Sequence, residues 1–229
     1  MNKPNISIIT PFLNGLDLLA DYEAATIGAE LILIDNGSNP ETADALASLP
    51  PERGKIIRNE TNIGFAAANN QGYAQTTGDV IVFLNSDIAG DPVWLKYVAD
   101  DVKDGALYGP SLQRQLVYGI WLPYIEGWCV AATRKTWERL CPSITGILLP
   151  GPWDYIEYPG PYWEDNDLCF RAQWSEPQID IRQTQWPIQH KGGRSAGPLV
   201  KHGDTFERNR ATFVSRVKPL WEKMHDDRT

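Results

Sequence analysis

Apolar runs of strand length alternate with helix-like segments along the first hundred residues. The clearest run, 80–84 (VIVFL), has the length and continuity of a strand buried on both faces. Similar patterns predict strands at 5–10, 31–34 and 55–58, and helices at 16–27, 42–49, 64–76 and 92–102. Strands and helices that alternate at this spacing indicate βαβ units, a parallel sheet and right-handed crossovers. The predicted fold class is therefore α/β.

The periodicity is less regular beyond residue 104. Short strands are predicted at 105–110, 116–121, 128–133, 179–182 and 186–189, and helices at 134–140, 163–174 and 203–224. We expect a break in the last helix near Pro219, because proline lacks the N–H that a helix interior requires. Residues 142–163 are rich in proline, glycine and aromatic residues. Such a segment is either a long functional loop or a region that orders only with a ligand.

Composition is that of a soluble globular protein, with 42% hydrophobic and 22% charged residues among 229. No segment approaches the apolar length needed to cross a bilayer, and the first residues lack the apolar core of a signal peptide. We therefore expect a cytoplasmic location and no membrane span. The three cysteines form no CxxC pair, which suits a reducing compartment and argues against a structural zinc site.

Charge and aromatic content narrow the class of partner. The net charge of −8 opposes steering toward nucleic acid, although a local basic patch could still serve one phosphorylated ligand. Seven of the nine tryptophans lie between residues 121 and 186. Tryptophan and tyrosine are natural walls for a carbohydrate or another amphipathic acceptor, although several of these rings must belong to the core.

Polar residues follow two of the predicted buried strands. Asn85, Ser86 and Asp87 come directly after 80–84, and Asp35 follows the run at 31–34. Parallel strands end at the same edge of a sheet, where open α/β folds bind ligands. The pattern favours a ligand crevice over a helix cap or an Asx turn. No GxGxxG follows the first strand and no GxxxxGK[ST] occurs, so dinucleotide and P-loop ATP sites are disfavoured.

Two carboxylates begin the helix predicted at 163–174. Asp165 lies three residues before Leu168 and should share its inward face, in a first turn where the helix dipole favours negative charge. Glu164 and Asp165 would suit a general base, although ordinary helix N-terminal charge is the alternative. Asp167 is expected to be structural, paired with Arg171 four residues on.

A histidine-containing loop follows the last predicted strand. His190 precedes Lys191, two glycines and Arg194, so the backbone can approach a ligand closely and two cations could hold phosphate. His190 and Asp87 could also form a mixed nitrogen and oxygen ligand set for a divalent ion that leaves its other positions to phosphates.

Together these segments resemble the family 2 glycosyltransferases of the GT-A fold. The matching stretches are ISIITPFLN, LILIDNGSNPET, NETNIGFAAANNQGYAQTTGDVIVFLNSD, WCVAATRKTWERL, WEDNDLCFR and HKGGRS, in the family's order up to about residue 195. The resemblance implies a single nucleotide-diphospho-sugar transferase-like domain, with a mostly parallel central sheet flanked by helices. Residues 1–104 would be its nucleotide-sugar-binding half. Residues 105–229 would be its acceptor-binding and catalytic half, with a C-terminal helix.

The resemblance also implies roles for individual residues. Pro11, Phe12 and Asn14 would line the nucleotide site, Asp35 would contact the base, and Asn69 would lie near the nucleotide or sugar.

Asn85, Ser86 and Asp87 match the DXD motif; Asn85 replaces its first aspartate, so Asp87 would be the principal carboxylate on Mn²⁺ or Mg²⁺. Asp165 matches the catalytic base. His190 would join the metal site, and Lys191 and Arg194 would contact the donor.

The implied activity is inverting transfer of a sugar from a nucleotide diphosphate donor to a carbohydrate or other hydroxyl acceptor. A UDP-sugar is favoured, and dTDP- or GDP-sugars are alternatives. The segment GPWDYIEYPGPYW departs from the family's Gly-Gly-Phe-Asp pattern and leaves the acceptor open, and the oligomeric state is also open.

Two other functions remain. A nucleotidyltransferase would begin with a glycine-rich phosphate loop that this sequence lacks, and a non-catalytic carbohydrate-binding module would explain the tryptophan content.

Overall fold

The computed structural model describes residues 4–144, 146–192 and 203–226. Strands and helices alternate in the first half, as the apolar pattern predicts. The strands are β1 (Ile6–Phe12), β2 (Glu30–Asn36), β3 (Gly54–Asn59), β4 (Val80–Leu84) and β5 (Ile88–Gly90). The helices are α1 (Leu16–Ala25), α2 (Pro40–Ala47), α3 (Phe65–Tyr73) and α4 (Trp94–Asp101), with a 3-10 turn at Pro51–Arg53.

The second half contains shorter strands and fewer helices. Its strands are β6 (Ala106–Gly109), β7 (Leu112–Val117), β8 (Ile120–Ile125), β9 (Cys129–Thr133), β10 (Ser143–Ile144), β11 (Ile147–Leu148), β12 (Asp180–Gln183) and β13 (Ile188–His190). Its helices are α5 (Arg134–Glu138), α6 (Glu164–Gln173) and α7 (Gly203–Asp226).

The central sheet has seven strands in the order β12-β6-β9-β4-β1-β2-β3. β1 pairs in parallel with β2 and β4, β2 with β3, and β6 with β12. β9 is antiparallel to both of its neighbours, β4 and β6. The predicted α/β class with a mostly parallel sheet is confirmed. Strands from residues 1–104 and 105–229 share this sheet, while the division of labour between the two halves stays a prediction.

Both faces of the sheet are buried, because successive side chains of a strand point to opposite faces. Ile8 and Val82 pack into one hydrophobic cluster, which also contains Trp94. Their neighbours Ile9 and Phe83 pack into a second cluster on the other face. Helices cover the sheet on each side, so only its edges and strand ends remain for binding.

A hairpin replaces the single strand that was predicted at 116–121. β7 and β8 are antiparallel, with Val117 opposite Ile120. The chain turns at Tyr118 and Gly119, whose φ angles are 49° and 78°. The prediction was wrong because the apolar residues on both sides of this tight turn form one continuous pattern in the sequence. The hairpin brings residues of β7 and β8 to the cleft described below.

The break predicted near Pro219 was also wrong, since α7 continues through this residue. Pro219 lies on the exposed side of the helix, as does Ser215, the residue whose carbonyl loses its helical hydrogen bond. Water can satisfy a carbonyl on that side, so the helix persists. The opposite side of α7 packs Phe213 and Val217 against the rest of the second half.

The aromatic segment before α6 packs into the protein interior. Trp153 and Tyr158 are fully buried, and Leu149 is 4% exposed. The Trp153 ring meets Phe83 of the central sheet edge-on, with ring centroids 5.4 Å apart. Several of the tryptophans counted in the sequence are therefore core residues. Within the described ranges, no helix is both long enough and apolar enough to cross a membrane.

Candidate active site

A cleft of about 680 Å³ opens where β1, β2 and β4 end. The first half of the chain contributes Pro11, Leu13, Asn36, Asn62, Gly64, Phe65, Asn85 and Ser86. The second half contributes Gln115, Tyr124, Glu126, Gly127, Trp128, Pro161, Tyr162, Trp163, Glu164, Asp165, Asn166, His190 and Phe206. The cleft therefore lies at the carboxyl edge of the sheet, where ligand sites of open α/β folds are found.

Asp87 and His190 meet at one side of this cleft. Their approach follows from a short antiparallel ladder between β5 and β13, in which His190 lies opposite Ile88. His190 Nε2 lies 3.0 Å from Asp87 Oδ1, and the Lys191 backbone N–H donates to the Asp87 carbonyl over 2.8 Å. Asp87 is 1% exposed. This carboxylate and this imidazole thus form a fixed pair beside the cleft.

Trp128 and Asn85 complete the surroundings of His190. The Trp128 ring lies parallel to the imidazole, with an interplanar angle of 3° and ring centroids 4.9 Å apart. The Asn85 backbone N–H donates to the Trp128 carbonyl over 2.8 Å, and Asn85 Nδ2 lies 3.4 Å from His190 Nε2. The end of β4, the start of β9 and the end of β13 are therefore held together around one imidazole.

The donor chemistry of this pair fits a divalent ion that shares its coordination with a ligand. Among the residues that the structure describes, no three His, Cys, Asp or Glu side chains gather closely enough to hold an ion alone. Mg²⁺ commonly takes one or two carboxylates and fills its other positions with water and substrate phosphates. Imidazole nitrogen and carboxylate oxygen are both ligands of first-row divalent metals. Asp87 and His190 would thus hold such an ion only together with phosphate.

Asp165 enters the cleft from the first turn of α6. Its Oδ2 accepts from the Gly127 backbone N–H over 3.0 Å, and its Oδ1 accepts from the Asn166 N–H over 2.8 Å. Burial raises the pKa of Asp165 to about 6, although these backbone donors act in the opposite direction. A carboxylate with this pKa is ionised at neutral pH and still accepts a proton readily, which suits a general base.

Glu164 is the immediate neighbour of that carboxylate and is only 6% exposed. Burial raises the pKa of Glu164 well above its usual value, and the charge of Asp165 raises it further. Its Oε2 has no hydrogen-bond partner among the described residues. Glu126 also faces Asp165 and helps raise the pKa of Asp165. Burial and the adjacent Asp165 carboxylate thus both favour the protonated form of Glu164.

The backbone before α6 has an unusual conformation. Tyr162 and Trp163 have φ angles of 79° and 76°, in a region that non-glycine residues rarely adopt. α7 holds this segment, because Asn209 Nδ2 donates to the Tyr162 carbonyl over 3.0 Å. Asn209 is completely buried. The two left-handed residues therefore set the direction in which Glu164 and Asp165 enter the cleft.

Asparagine side chains form the opposite side of the cleft. Asn36 Oδ1 accepts from the Ile63 N–H over 3.1 Å, while Asn36 Nδ2 donates to Asn62 Oδ1 over 2.9 Å. Asn62 Oδ1 also accepts from the Gly64 N–H over 2.9 Å. With its oxygen already engaged by two donors, the Asn62 side chain is oriented so that its NH₂ group is available to a ligand acceptor.

The predicted site residues differ in their position relative to the cleft. Six of them line the cleft: Pro11, Asn85, Ser86, Glu164, Asp165 and His190. Asp87 lies directly behind His190. Lys191 is described, and its ammonium group pairs with Asp21 of α1 on the surface. Arg194 lies outside the described residues.

Four others have local structural partners. The fully buried Phe12 meets Tyr22 edge-on at 5.1 Å. Asn14 Oδ1 accepts from the Asn39 N–H over 2.9 Å. Asp35 accepts from the Ser38 N–H over 2.9 Å and forms an ion pair with Arg58. Asn69 is buried in α3, where its Nδ2 donates to the Phe65 carbonyl over 3.0 Å. None of these four is among the residues that line the cleft.

Sequence reasoning did not identify several residues of the cleft wall. Tyr124 lies on β8, Phe206 on α7, and Asn62 on the loop before α3. An aromatic residue in a strand or an amphipathic helix gives the same pattern whether it faces the core or a ligand. Of these three residues, only Asn62 carries a local signal in the sequence. It follows β3 and lies two residues before Gly64 in a turn-prone stretch.

Comparisons with known proteins agree with this architecture. The model of the family described as Glycosyl transferase family 2 matches residues 7–150. A PGL/p-HBAD biosynthesis glycosyltransferase of Mycobacterium bovis is 33% identical over 129 residues, which are 52% of this chain and 47% of the relative. An undecaprenyl-phosphate 4-deoxy-4-formamido-L-arabinose transferase of Pectobacterium atrosepticum is 31% identical over 99 residues, 38% of this chain and 30% of the relative. The chain thus spans about half the length of the mycobacterial relative, and less of the other.

Solved structures share the fold. A mannosyltransferase of Pyrobaculum calidifontis, in complex with GDP-Man and Mn²⁺, has a TM-score of 0.61 at 16% identity; the match covers 86% of this chain and 59% of that one. A fragment of TarS from S. aureus, in complex with UDP-GlcNAc, has a TM-score of 0.58 at 16% identity, over 91% of this chain and 65% of that one. These likenesses confirm the predicted GT-A fold.

Proposed function

Because the chain belongs to glycosyl transferase family 2, we propose that it transfers a sugar from a nucleoside diphosphate donor to an acceptor hydroxyl, with inversion at the anomeric carbon. One observation carries this proposal: a single cleft is lined both by the carboxylate of Asp165 and by His190, which is paired with Asp87. Inverting transfer needs a base on the acceptor side and charge neutralisation on the leaving-group side. The cleft supplies candidates for both.

Asp165 is the proposed general base. Its carboxylate takes the proton of the acceptor hydroxyl as the oxygen attacks the anomeric carbon from the face opposite the diphosphate. The backbone N–H groups of Gly127 and Asn166 hold the two carboxylate oxygens, so the side chain is already oriented before the acceptor binds. Burial keeps the carboxylate basic, as its pKa of about 6 indicates. Glu164 is proposed to support this step from the adjacent position.

Asp87 and His190 are proposed to hold Mn²⁺ or Mg²⁺ together with the donor diphosphate. When bound, such an ion neutralises negative charge that develops on the leaving diphosphate. Asn85 and Ser86 line the cleft beside this pair and would contact the donor. Lys191 and Arg194 remain proposed diphosphate contacts. Lys191 would have to leave Asp21 to reach the cleft.

The nucleotide is proposed to lie along Pro11, Asn36 and Asn62, at the ends of β1 and β2 and in the loop before α3. The NH₂ group of Asn62 suits a carbonyl acceptor on the base, such as those of uracil or guanine. A UDP-sugar is favoured, and dTDP- and GDP-sugars are alternatives. The complexes of TarS with UDP-GlcNAc and of the Pyrobaculum enzyme with GDP-Man support the donor class without selecting the base.

A nucleotide screen by thermal unfolding tests the donor site. A ligand that binds only the folded state at 100 times its Kd contributes about 2.7 kcal/mol, or roughly 5–10 °C in Tm for a chain of this size. We expect UDP, dTDP or GDP to produce such a shift with Mn²⁺ present and a smaller one without it. Asp87→Ala should remove the Mn²⁺-dependent part.

Asp180→Ala is the matched control for this screen, because Asp180 is an exposed carboxylate on the edge strand β12. It should keep the full Mn²⁺-dependent shift. The proposed donor site is wrong if no nucleotide raises Tm, or if Asp87→Ala retains the Mn²⁺ dependence of the wild type.

A further inference from the structure

Aromatic side chains from three separate segments gather at the Asp165 end of the cleft. Tyr124 comes from β8, Tyr162 and Trp163 from the segment before α6, and Phe206 from α7. The Phe206 ring packs against both neighbours, with centroids 5.7 Å from Tyr162 and 5.6 Å from Trp163. Trp163 also packs against Phe213 of α7, with centroids 5.5 Å apart. These contacts join Tyr162, Trp163 and Phe206 into an aromatic wall, and Tyr124 lines the same cleft next to the proposed base.

Two buried polar atoms at the same place have no partner among the described residues. They are Nε1 of Trp163 and Oε2 of Glu164, and both residues line the cleft. Trp163 and Glu164 are each 6% exposed. By contrast, both carboxylate oxygens of the adjacent Asp165 accept backbone hydrogen bonds. Buried polar groups nearly always find partners, so an indole donor and a carboxyl oxygen that are enclosed without one beside a cleft indicate a ligand that these side chains turn to meet.

The backbone that carries these groups is strained and firmly held. Tyr162 and Trp163 both have positive φ angles, a conformation that costs free energy and persists only where the surrounding structure imposes it. Asn209 of α7 bonds to the Tyr162 carbonyl, and Arg208 bonds to the Pro159 carbonyl over 2.7 Å. Strained non-glycine residues of this kind concentrate at binding sites. The strain here turns Trp163 and Glu164 toward the cleft wall.

The charge at this end of the cleft is acidic. Glu126, Glu164 and Asp165 all line it, whereas no lysine or arginine in the described part of the chain does so. A phosphate group next to Asp165 would meet repulsion and find no cation to pair with. The site therefore suits a neutral ligand that carries hydroxyl groups.

From these observations we infer that the wall formed by Tyr124, Tyr162, Trp163 and Phe206 is the subsite for a neutral saccharide acceptor. A pyranose has an apolar CH face that stacks on aromatic rings, and hydroxyls that pair with polar groups at its edge. When the Trp163 and Glu164 side chains turn toward the cleft, the indole N–H of Trp163 would donate to one hydroxyl flanking the reacting one, and Glu164 would bond to another. This inference rests on the proposed function, because the reacting hydroxyl is the one that Asp165 deprotonates.

Saturation-transfer NMR on the whole chain tests the subsite, with and without UDP and Mn²⁺. The probes are the methyl α- and β-pyranosides of glucose, galactose and mannose, with phenol and butyl phosphate as competing classes. We expect at least one pyranoside to receive saturation at its ring CH protons. Trp163→Phe removes the N–H and keeps an aromatic ring, so the Kd of that pyranoside should rise about tenfold, the effect of one lost hydrogen bond.

Two further variants and one control separate hydrogen bonding from folding. Glu164→Gln keeps both a donor and an acceptor and should hold the pyranoside Kd within about threefold, whereas Glu164→Leu should raise it about tenfold. Trp174→Phe is the control, because Trp174 is a 44% exposed indole at the end of α6 that does not line the cleft. It should leave the Kd unchanged.

Three results would overturn the inference: no probe binds, only phenol or butyl phosphate binds, or both Trp163→Phe and Glu164→Leu bind the pyranoside like the wild type. The proposed function fails separately. Nucleotide binding without pyranoside binding overturns the saccharide subsite alone. Pyranoside binding that depends on Trp163, in a protein that binds no nucleotide, overturns the proposed donor and leaves the subsite standing.

Discussion

At the scale of residues, the cleft brings together groups that are far apart in the sequence. Asp87 and His190 are held side by side, and the buried Glu164 adjoins the partly exposed Asp165 in the same cleft. In the proposed match to the DXD motif, Asn85 replaces the first aspartate. The imidazole of His190 is therefore the second proposed protein ligand for the metal, and the positive charge of the ion would be balanced mainly by Asp87 and the diphosphate.

The raised pKa of Asp165 has a consequence for stability. Its pKa rises from 3.8 in the unfolded chain to about 6 in the folded protein, so the folded protein binds this proton more tightly. Linkage then requires that the free energy of unfolding falls as the pH rises from about 4 to 6. The full decrease is present above pH 6. We expect the wild type to lose about 1–3 kcal/mol of stability relative to Asp165→Asn between pH 4 and pH 8, less than the full shift implies because Asp165 is partly exposed.

Urea unfolding at pH 4 and pH 8 measures this difference. The stability of Asp165→Asn relative to the wild type should therefore be lower at pH 4, where the wild-type carboxyl is already protonated in the folded protein, than at pH 8. Asp180→Asn, on the exposed edge strand, should show no comparable change between the two pH values. A relative stability of Asp165→Asn that does not increase from pH 4 to pH 8 would contradict the raised pKa of this carboxyl group.

Some of these residues could be predicted because each carries a local signal. Asn85, Ser86 and Asp87 interrupt an apolar run, Asp165 lies in the first turn of an amphipathic helix, and His190 precedes two glycines. Tyr124 and Phe206 carry none, because the sequence does not tell which aromatic positions face a cleft. The unpartnered atoms of Trp163 and Glu164 also depend on tertiary contacts that no pattern contains.

At the scale of elements, short or irregular pieces position the site. β5 and β13 have three residues each, and their ladder sets His190 against the loop that carries Asp87. Three residues are too few to give a period, so β5 was not predicted, and the strand at 186–189 was predicted without its partner. The hairpin of β7 and β8 was missed for the related reason that its tight turn lies inside an apolar stretch.

α7 is fixed to α6 by a buried ion-pair network. Arg216 pairs with Asp154 and with Asp167, which are 1% and 0% exposed. Arg171 also pairs with Asp167, over 2.8 Å, as the sequence predicted. The Tyr158 ring packs 5.5 Å from the Arg216 guanidinium. The network joins the helix that carries Asp165 to the helix that supports Tyr162 and Trp163.

Removing Arg216 should destabilise the protein strongly. Arg216→Met leaves the buried carboxylates of Asp154 and Asp167 with fewer cationic partners. We expect the free energy of unfolding to fall by about 2–4 kcal/mol. This value is lower than for a fully buried ion pair because the guanidinium is partly exposed. Denaturant unfolding at pH 7 measures the loss.

Arg210→Met is the control on the same helix, because Arg210 makes an exposed pair with Glu207. Exposed pairs contribute about 0–1 kcal/mol, so this variant should stay close to the wild type. Equal stability of the two variants would show that the buried network does not hold α7.

At the scale of the whole molecule, the sheet order explains why one cleft receives residues from both halves. β9 inserts antiparallel between β4 and β6, so the strands of the second half extend the sheet beside the end of β4. The class of the fold could be predicted from alternating apolar runs. The order of the strands could not, because buried strands such as β4 and β9 have similar apolar sequences and their pairing depends on long-range contacts.

In the whole molecule, β4, β5 and β13 thus carry the proposed metal and phosphate side of the cleft, and α6 and α7 carry the proposed base side. The central proposal is that Asp165 is the base for sugar transfer to a hydroxyl in this cleft. The most direct test is the rate of nucleoside diphosphate release by Asp165→Asn under saturating donor and acceptor, with donor Kd measured by calorimetry. We predict a rate lower by roughly 10²–10⁴-fold, with donor Kd nearly unchanged and Asp180→Asn at the wild-type rate. A rate within a few-fold of wild type, or a donor affinity lost as severely as turnover, would contradict the claim.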